Sequence, residues 1–515
     1  MAKEKKLPSR HKTRPLRQVQ DLRMNLIALF GLTGFAIAQP LYDLLGRYPE
    51  FLVVHRAEPG TITLLILTLS VGLPVVLLAI ETALVWITGR RWPYVHHFIV
   101  AILVGLILAP LLMGAGGLPD LVGVGLAVIL SVAAVIAYAR FENVRLFVRF
   151  LGCAAVVFPL YFVFFTPVIH LVFARSPVAS EVRDTNPVPI FLIVFDELNP
   201  ASLVDGHHEI DGVRFPNFAA FARDSYWFIK ATGVSGSTTE AVPTILTGLY
   251  PRGKIPTAAT LPDNLFTWLG GTYEFNVSEP ITQLCPVAFC PDLGNGGTTH
   301  FLPLLSDVAV VYAHTVLPQY IADSTLPTIA NTWKDFRRPI EMGPEIVRRY
   351  NASVVEGRDR QFVRFIRNID SGAERSLNFL HIAIPHMPLE FMPSGKRYFE
   401  FPVDDMNSKG IWGDNSDLIT LHWQRHLLQV GFADTLLGIF LKRLKQLGLY
   451  ERSLIIVTAD HGVSFTPGNK RRSIDEANYP DILHVPMFVR LPGQVRSDVW
   501  NITSLPPTLY RQSPT

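Results

Sequence analysis

Charge is scarce in this chain: charged residues fill 17% of 515 positions and hydrophobic ones 49%, too apolar a balance for a wholly soluble protein. Part of the chain is therefore expected in lipid. The formal net charge of +3 leaves no electrostatic footprint for nucleic acid. Cysteine is scarcer still, with three residues and no C-x-x-C pair or His-rich finger spacing, which argues against structural zinc. Cys153 lies in an apolar run, whereas Cys285 and Cys290 share a Pro-containing loop in which a local disulfide and two free thiols are equally admissible. Internal repeats and low-complexity tracts are absent.

The basic residues that do cluster sit beside apolar segments. Lys3, Lys5, Lys6, Arg10, Lys12, Arg14, Arg17 and Arg23 meet little acid, so residues 1–24 read as a cytoplasmic tail. A cleaved signal peptide fits poorly, because the charged region is long and no small-residue cleavage site follows. Residues 25–175 are expected to form a transmembrane helical bundle of five spans: about Leu26–Leu45, Ile62–Ile87, Phe98–Gly114, Leu121–Tyr138 and Phe150–Ala174. Arg90 and Arg91 follow the second span, and Arg140, Arg145 and Arg149 follow the fourth, which assigns those loops to the cytoplasm. An odd number of spans then leaves everything after Ala174 outside, as expected for a multi-pass protein of the inner (plasma) membrane. Glu81 is the one clear acid inside a span; lying near its cytoplasmic end, it is expected to turn toward the interface.

Residues 181–515 have the mixed charge and Pro punctuation of a globular domain. Ile190–Phe195, Ser376–Ile382, Ser453–Thr458 and Pro486–Arg490 read as buried strands, and Trp423–Leu447 as a helix stopped by Gly448. Strand, long helix and strand in succession indicate an α/β sheet with crossover helices. In such sheets ligands bind past the carboxyl ends of strands. Two strands here end in acid, giving Asp196-Glu197 and Asp460-His461-Gly462. Carboxylates and an imidazole brought to one sheet edge make a site for a hard cation or zinc, with Gly462 letting the chain turn away. Between them, Gly236-Ser-Thr-Thr-Glu240 precedes an apolar helical stretch. A hydroxyl there can be activated by a metal, and the free amides of the helix start can receive an anion; the competing reading is a plain Ser/Thr N-cap.

In order, Asp196-Glu197, Arg214-Phe-Pro-Asn-Phe218, the hydroxyl segment closing on Leu246-Thr-Gly248, Pro385-His-Met-Pro388, Ala459-Asp-His-Gly462, Val485-Pro486 and Pro492-Gly493 resemble the sulfatase domain of the alkaline-phosphatase superfamily. The resemblance covers about Pro187 to Pro507 and implies a mixed central sheet. Five spans before such a domain are also similar to phosphoethanolamine transferases and lipoteichoic acid synthases. Sulfatases carry Cys or Ser followed by x-Pro-Ser-Arg, the first residue being oxidised to formylglycine. Here Thr238 takes that place and neither the Pro nor the Arg follows. Threonine cannot become formylglycine, so the resemblance tilts toward the branch with an unmodified threonine nucleophile, with Thr239 one residue away still open.

The resemblance implies that Asp196 and/or Glu197, Thr238, Asp460 and His461 hold a divalent ion, usually zinc, with manganese, magnesium or calcium as alternatives. His386 matches a position near the substrate, to bind phosphate or act as general acid. His381 is expected to be a strand residue facing the core or a neighbour. Lys470, Arg471 and Arg472 are candidate contacts for an anionic substrate or a solvated basic loop. His484 is a further candidate substrate contact. Sulfatase-like domains usually run on into a small carboxyl-terminal subdomain, whereas this chain stops soon after Pro506-Pro-Thr508, so a shortened closing edge is expected.

The expected activity is cleavage or transfer of a phosphate, or less readily sulfate, ester on a phospholipid or an envelope glycan or lipid substrate. Plain ester hydrolysis and a non-catalytic envelope protein are the alternatives. A transporter is disfavoured because the spans lack paired charges and broken-helix repeats.

Overall fold

A computed structural model describes residues 14–88, 92–113, 119–174, 177–180, 186–291, 301–327, 357–372, 374–398, 410–495 and 499–500, with 329, 336 and 406 as isolated positions. The chain divides into two compact units, one of residues 1–49, 57–173 and 301–327, the other of residues 50–56, 174–300 and 328–515. Lys3 to Lys12, Arg90, Arg91 and Pro506-Pro-Thr508 lie outside the described residues.

The first unit has five helices long and apolar enough to cross a membrane: Leu22–Arg47, Pro59–Ile87, Tyr94–Met113, Asp120–Arg140 and Glu142–Phe164. Their outward faces are apolar, with Ile80, Ile129 and Phe150 exposed, the pattern of a bundle whose solvent is hydrocarbon. The fifth starts and stops earlier than expected, because a short 3-10 turn at Leu151–Cys153 joins Glu142–Phe150 to Ala154–Phe164 in one apolar rod. Glu81 does not turn toward the interface. It is buried, accepting hydrogen bonds from Asn25 Nδ2 at 2.9 Å and His96 Nδ1 at 3.1 Å, and His96 Nε2 in turn lies 3.1 Å from the Tyr138 hydroxyl. Four helices share this network, because a carboxylate among apolar side chains needs donors close by.

The helix Phe301–Val316 also belongs to this unit. Tyr312 donates to the Ala36 carbonyl at 2.7 Å, and the Gln319 amide donates to Asp120 Oδ2 at 3.1 Å. Its 16 residues fall short of the ~20 needed to cross the hydrocarbon.

The second unit is built on a seven-stranded sheet in the order β3-β4-β1-β5-β6-β2-β7. The strands are β1 (Ile190–Asp196), β2 (Tyr226–Phe228), β3 (Glu274–Ser278), β4 (Ser376–Pro385), β5 (Leu454–Ala459), β6 (Met487–Arg490) and β7 (Val499–Trp500). The first four in spatial order run parallel, β6 is antiparallel to both β5 and β2, and β7 is parallel to β2, so the sheet is mixed. Both faces of β1 and β4 are covered, which explains why β1 reads as an unbroken apolar run and why every residue of β4 is buried, Ser376, Asn378 and His381 included. Phe191, Ile193 and Phe195 pack with Val430, Leu437 and Phe440 of the long helix Ser416–Gln446. That helix begins at Ser416 rather than Trp423 because Asn415 caps it, accepting from the amides of Asp417 and Leu418. On the other face, Leu192, Val194, Leu377 and Phe379 pack with Val242, Leu246 and Phe266.

The loop after β4, which carries His386, is held by two buried side chains. Arg358 donates through Nη1 to the carbonyls of Ala383 (2.7 Å) and His386 (2.6 Å), and through Nη2 to Pro388 (2.8 Å) and Glu390 Oε1 (3.0 Å). Gln429 Nε2 donates to the carbonyls of Pro385, His386 and Pro388, while its Oε1 accepts from the amides of Glu390 and Phe391. Arg358 is fully buried, so removing it takes the guanidinium from the Ala383 carbonyl and the buried Glu390 carboxylate and leaves Gln429 alone on the carbonyls of His386 and Pro388. Arg358→Met is expected to destabilise the domain by about 3–5 kcal/mol. Adding Glu390→Gln should recover part of that loss, as read in a double-mutant cycle of denaturant midpoints.

Candidate metal-centred active site

Neighbouring parallel strands end together and place their terminal acids side by side. Phe195 of β1 pairs with Ala459 of β5, and the Asp460 amide donates to the Phe195 carbonyl at 3.0 Å. Asp460 Oδ1 is occupied, accepting from the His461 amide at 2.7 Å and the Glu197 amide at 3.4 Å, which leaves Oδ2 facing inward. His461 Nδ1 lies 2.9 Å from the Gly462 carbonyl; with Nδ1 as the donor, the Nε2 lone pair faces the acids. Gly462 earns its place by crowding: a Cβ there would stand 2.0 Å from the Asp481 carbonyl oxygen.

Thr238 opens the helix Thr238–Thr247, with Pro243 in its second turn, and is fully buried. Its Oγ1 lies 3.3 Å from His461 Nε2 and 3.5 Å from Asp196 Oδ2. The hydroxyl segment is no ordinary cap, since Ser237 at the N-cap makes no capping bond and instead pairs with Thr239 Oγ1 at 3.0 Å. Thr239 is half-buried with its hydroxyl on Ser237, whereas the buried Thr238 hydroxyl lies beside Asp196 and His461. Gly236 lets this segment pass the Arg472 carbonyl, which a Cβ would approach to 2.2 Å.

Asp196, Thr238, Asp460 and His461 thus come together as expected, all at most 1% exposed. Burial, reinforced by Asp460 and Glu197, pushes the Asp196 carboxyl well above the ordinary carboxylate range. Burial acts on Asp460 in the same direction, but His461 and His381 outweigh it and hold that carboxyl below the usual range. Asp196 Oδ1 and Asp460 Oδ2 have no hydrogen-bond partner among the described residues.

Glu197 faces a different set of groups. Its backbone is left-handed, with φ of +64°, a conformation that a non-glycine residue adopts only where its surroundings impose it. The carboxylate meets the Arg471 guanidinium in a buried ion pair, with Arg472 Nε at 3.7 Å and His386 Nε2 at 3.3 Å. Burial would raise this carboxyl, but Arg471, His386 and Arg472 bring it down to about 2. Burial pulls His386 down to about 3, against the pull of Glu197. His386 Nδ1 is 2.7 Å from the Met387 carbonyl, and Arg472 Nη1 is 3.3 Å from Nε2.

Lys470 and His484 stand apart. Lys470 is exposed and bridges Ile411, while His484 bridges Thr232 and meets the Tyr479 ring edge-on at 6.2 Å. Neither joins the ion pairs of the acid cluster among the described residues. His381 was expected to face the core or a neighbour, yet its Nε2 lies 3.7 Å from Asp196 Oδ2 and 3.6 Å from Asp460 Oδ2. The signal was its register: it follows Leu377 and Phe379 on the same face of β4 and pairs with Val194, two residues before Asp196.

Two groups of side chains could hold a metal ion, Asp196 with His381 and Asp460, and Asp196 with Glu197 and His386. The second already has guanidinium charge against Glu197. The first, joined by Thr238 and His461, fits an ion: ligands about 2.1 Å from one centre stand roughly 3.4 Å apart at the tetrahedral angle. The separations of 3.3 to 3.8 Å match that spacing and exceed ordinary hydrogen-bond lengths.

Among solved structures, the chain is similar to a phosphonate monoester hydrolase from Silicibacter pomeroyi, at 18% identity over 61% of this chain and 69% of that one, with a TM-score of 0.37. The phosphonate monoester hydrolase of Agrobacterium radiobacter gives 16% identity over 60% and 68%, with a TM-score of 0.36. A 2-O GAG sulfatase gives 13% identity over 61% and 65%, with a TM-score of 0.35. No curated protein matches the chain. Residues 190–511, more than half of the sequence, match the model of the sulfatase family, and the chain belongs to that family.

Proposed function

We propose that this protein is a membrane-embedded, metal-dependent enzyme that cleaves or transfers phosphate esters of lipid-linked or envelope substrates, with Thr238 as nucleophile. The observation that carries this reading is the position of Thr238 Oγ1, within 3.5 Å of both an acid and an imidazole of the cluster and at the first residue of a helix. Asp196, Thr238, Asp460 and His461 would hold the ion, with zinc the best match to the mixed N/O donors. When bound, a divalent ion lowers the pKa of a coordinated hydroxyl and withdraws charge from an ester oxygen.

The protein's own groups do the rest. Thr238 Oγ1 attacks phosphorus in line with the departing ester oxygen, and a phosphothreonine forms as that P–O bond breaks. The Ser237 carbonyl takes the Glu240 and Ala241 amides, so the Thr238 and Thr239 amides ahead of them are the ones at the helix start that can receive the phosphoryl oxygens. Arg472, with 28% of its side chain exposed, stands between the cluster and solvent and can meet the incoming anion. Arg471 is committed to Glu197 and holds that carboxylate away from the substrate charge. His386, which burial disfavours in its charged form and whose Nδ1 is tied to a carbonyl, is suited to orient groups rather than to protonate a leaving oxygen. A water or acceptor hydroxyl then displaces Thr238 from phosphorus.

Several observations support an outward-facing site. Glu50–Arg56 follows the first span, on the side expected to be outer, and belongs to the catalytic unit: Gln283 Nε2 donates to the Val53 carbonyl at 2.9 Å, and Arg56 donates to the Glu279 carbonyl. The Asp120 carboxylate that receives Gln319 starts the fourth span, again at the expected outer end. Cys285 and Cys290 form a disulfide, as suits an oxidising compartment.

After incubation with membrane lipids, mass spectrometry should find a phosphoethanolamine- or phosphoglycerol-sized adduct on Thr238; release of inorganic phosphate or sulfate with no adduct would indicate plain hydrolysis. Thr238→Ala should lower turnover by at least ~10³-fold and Thr239→Ala by less than about tenfold, the reverse order moving the nucleophile by one residue. In whole cells, a membrane-impermeant maleimide should label Val178→Cys and spare Lys12→Cys; the opposite pattern would reverse the orientation.

A further inference from the structure

We propose that His381 is a direct ligand of the divalent ion, so that two imidazoles, His381 and His461, complete the donor set with Asp196, Asp460 and Thr238. This deepens the reading above and rests on it. His381 is fully buried in the middle of the sheet, and neither of its ring nitrogens has a hydrogen-bond partner among the described residues. A buried polar group left in that state costs about 1–3 kcal/mol, so buried polar side chains almost always find partners. The neighbouring histidines do: His386 Nδ1 has the Met387 carbonyl and His426 Nε2 has the Ser202 hydroxyl.

The direction in which His381 points is as informative as its isolation. Nε2 is almost equidistant from Asp196 Oδ2 (3.7 Å) and Asp460 Oδ2 (3.6 Å), carboxylates supplied by two different strands. A hydrogen-bonding imidazole would choose one oxygen and close to about 2.9 Å. Standing off from both at ligand-to-ligand distance is the behaviour of a donor that shares a cation with them. His461 Nε2 repeats it, at 3.8 Å from Asp196 Oδ1 and 3.6 Å from Asp460 Oδ2. Because Asp460 Oδ1 is already held by two amides, Oδ2 is the oxygen that both imidazoles and the ion would share.

A set with two imidazoles, two carboxylates and a hydroxyl makes a statement about the metal. Imidazole favours zinc and its neighbours in the transition series, whereas magnesium and calcium prefer all-oxygen shells. His381 therefore assigns the site to a borderline transition ion.

The test uses the full-length protein in detergent, stripped with a chelator and titrated with zinc against a competing chromophoric chelator. His381→Gln is expected to weaken zinc binding by about 10–100-fold. X-ray absorption should count two imidazoles per zinc in the wild type, two in His386→Gln and one in His381→Gln. A hundredfold excess of magnesium should leave the zinc in place. Wild-type protein that binds zinc with a single imidazole overturns the assignment of His381 and leaves the metal enzyme standing, and this measurement needs no variant to fold. Loss of an imidazole in His386→Gln instead of His381→Gln overturns it as well. Wild-type protein that binds no divalent ion overturns the proposed function itself.

Discussion

The candidate site of the sulfatase-family unit depends on two acids that neighbouring parallel strands deliver to one buried point. Asp196 and Asp460 are at most 1% exposed, and each keeps an inward oxygen without a hydrogen bond among the described residues. Two buried carboxylates side by side in a low-dielectric interior repel, and a protein that maintains them needs a proton or positive charge close by. Part of the answer is a raised proton affinity at Asp196, and part is the ring of imidazoles around Asp460. A divalent ion would meet the demand more completely, because it turns mutual repulsion into shared coordination.

The surroundings separate this demand from the handling of an anion. Glu197 is next to Asp196 in sequence, yet its left-handed backbone turns its carboxylate to Arg471, Arg472 and His386. The consecutive acids thus face two regions, one a cluster that could hold a cation and the other a basic patch. The loop that carries His386 is fixed from below by Arg358 and Gln429, which between them saturate its carbonyls. Those two buried residues act through the backbone of the loop and touch none of the acid cluster's described ion pairs.

Much of this was legible in the sequence because the decisive residues follow strand ends. Asp196 and Asp460 stand directly after apolar runs, whereas Thr238 is singled out only by the resemblance to the sulfatase pattern, which leaves Thr239 open one residue away. The strands β2 and β3 are not legible: three residues in one, and one exposed and four half-buried in the other, carry too little periodicity to stand out. His381 was discounted for a related reason. In a strand covered on both faces every position reads as core, so nothing in the local pattern distinguishes a histidine that packs from one that faces two acids of other strands. Arg358 and Gln429 lie on helices whose polar residues look solvated until the fold brings the β4 loop over them. Glu81 was misjudged because its partners are distributed over three other helices, and Asn25, His96 and Tyr138 each look unremarkable alone.

The helix Phe301–Val316 alters what the N-terminal region must be. A simple anchor would join the catalytic unit once, whereas this polypeptide leaves one unit for the other after residues 49, 56, 173, 300 and 327. The returning helix buries Leu304, Val308 and Val311 and is tied through Tyr312 to Ala36 of the first span, with Gln319 bonded to Asp120 of the fourth. Its apolar face therefore depends on residues that a chain cut after the fifth span would lack. An exposed apolar surface of that kind promotes association in water. The bundle is accordingly a folding partner for a segment lying inside the sulfatase-matching sequence, so the two compact units are interleaved along the chain rather than joined at a single point.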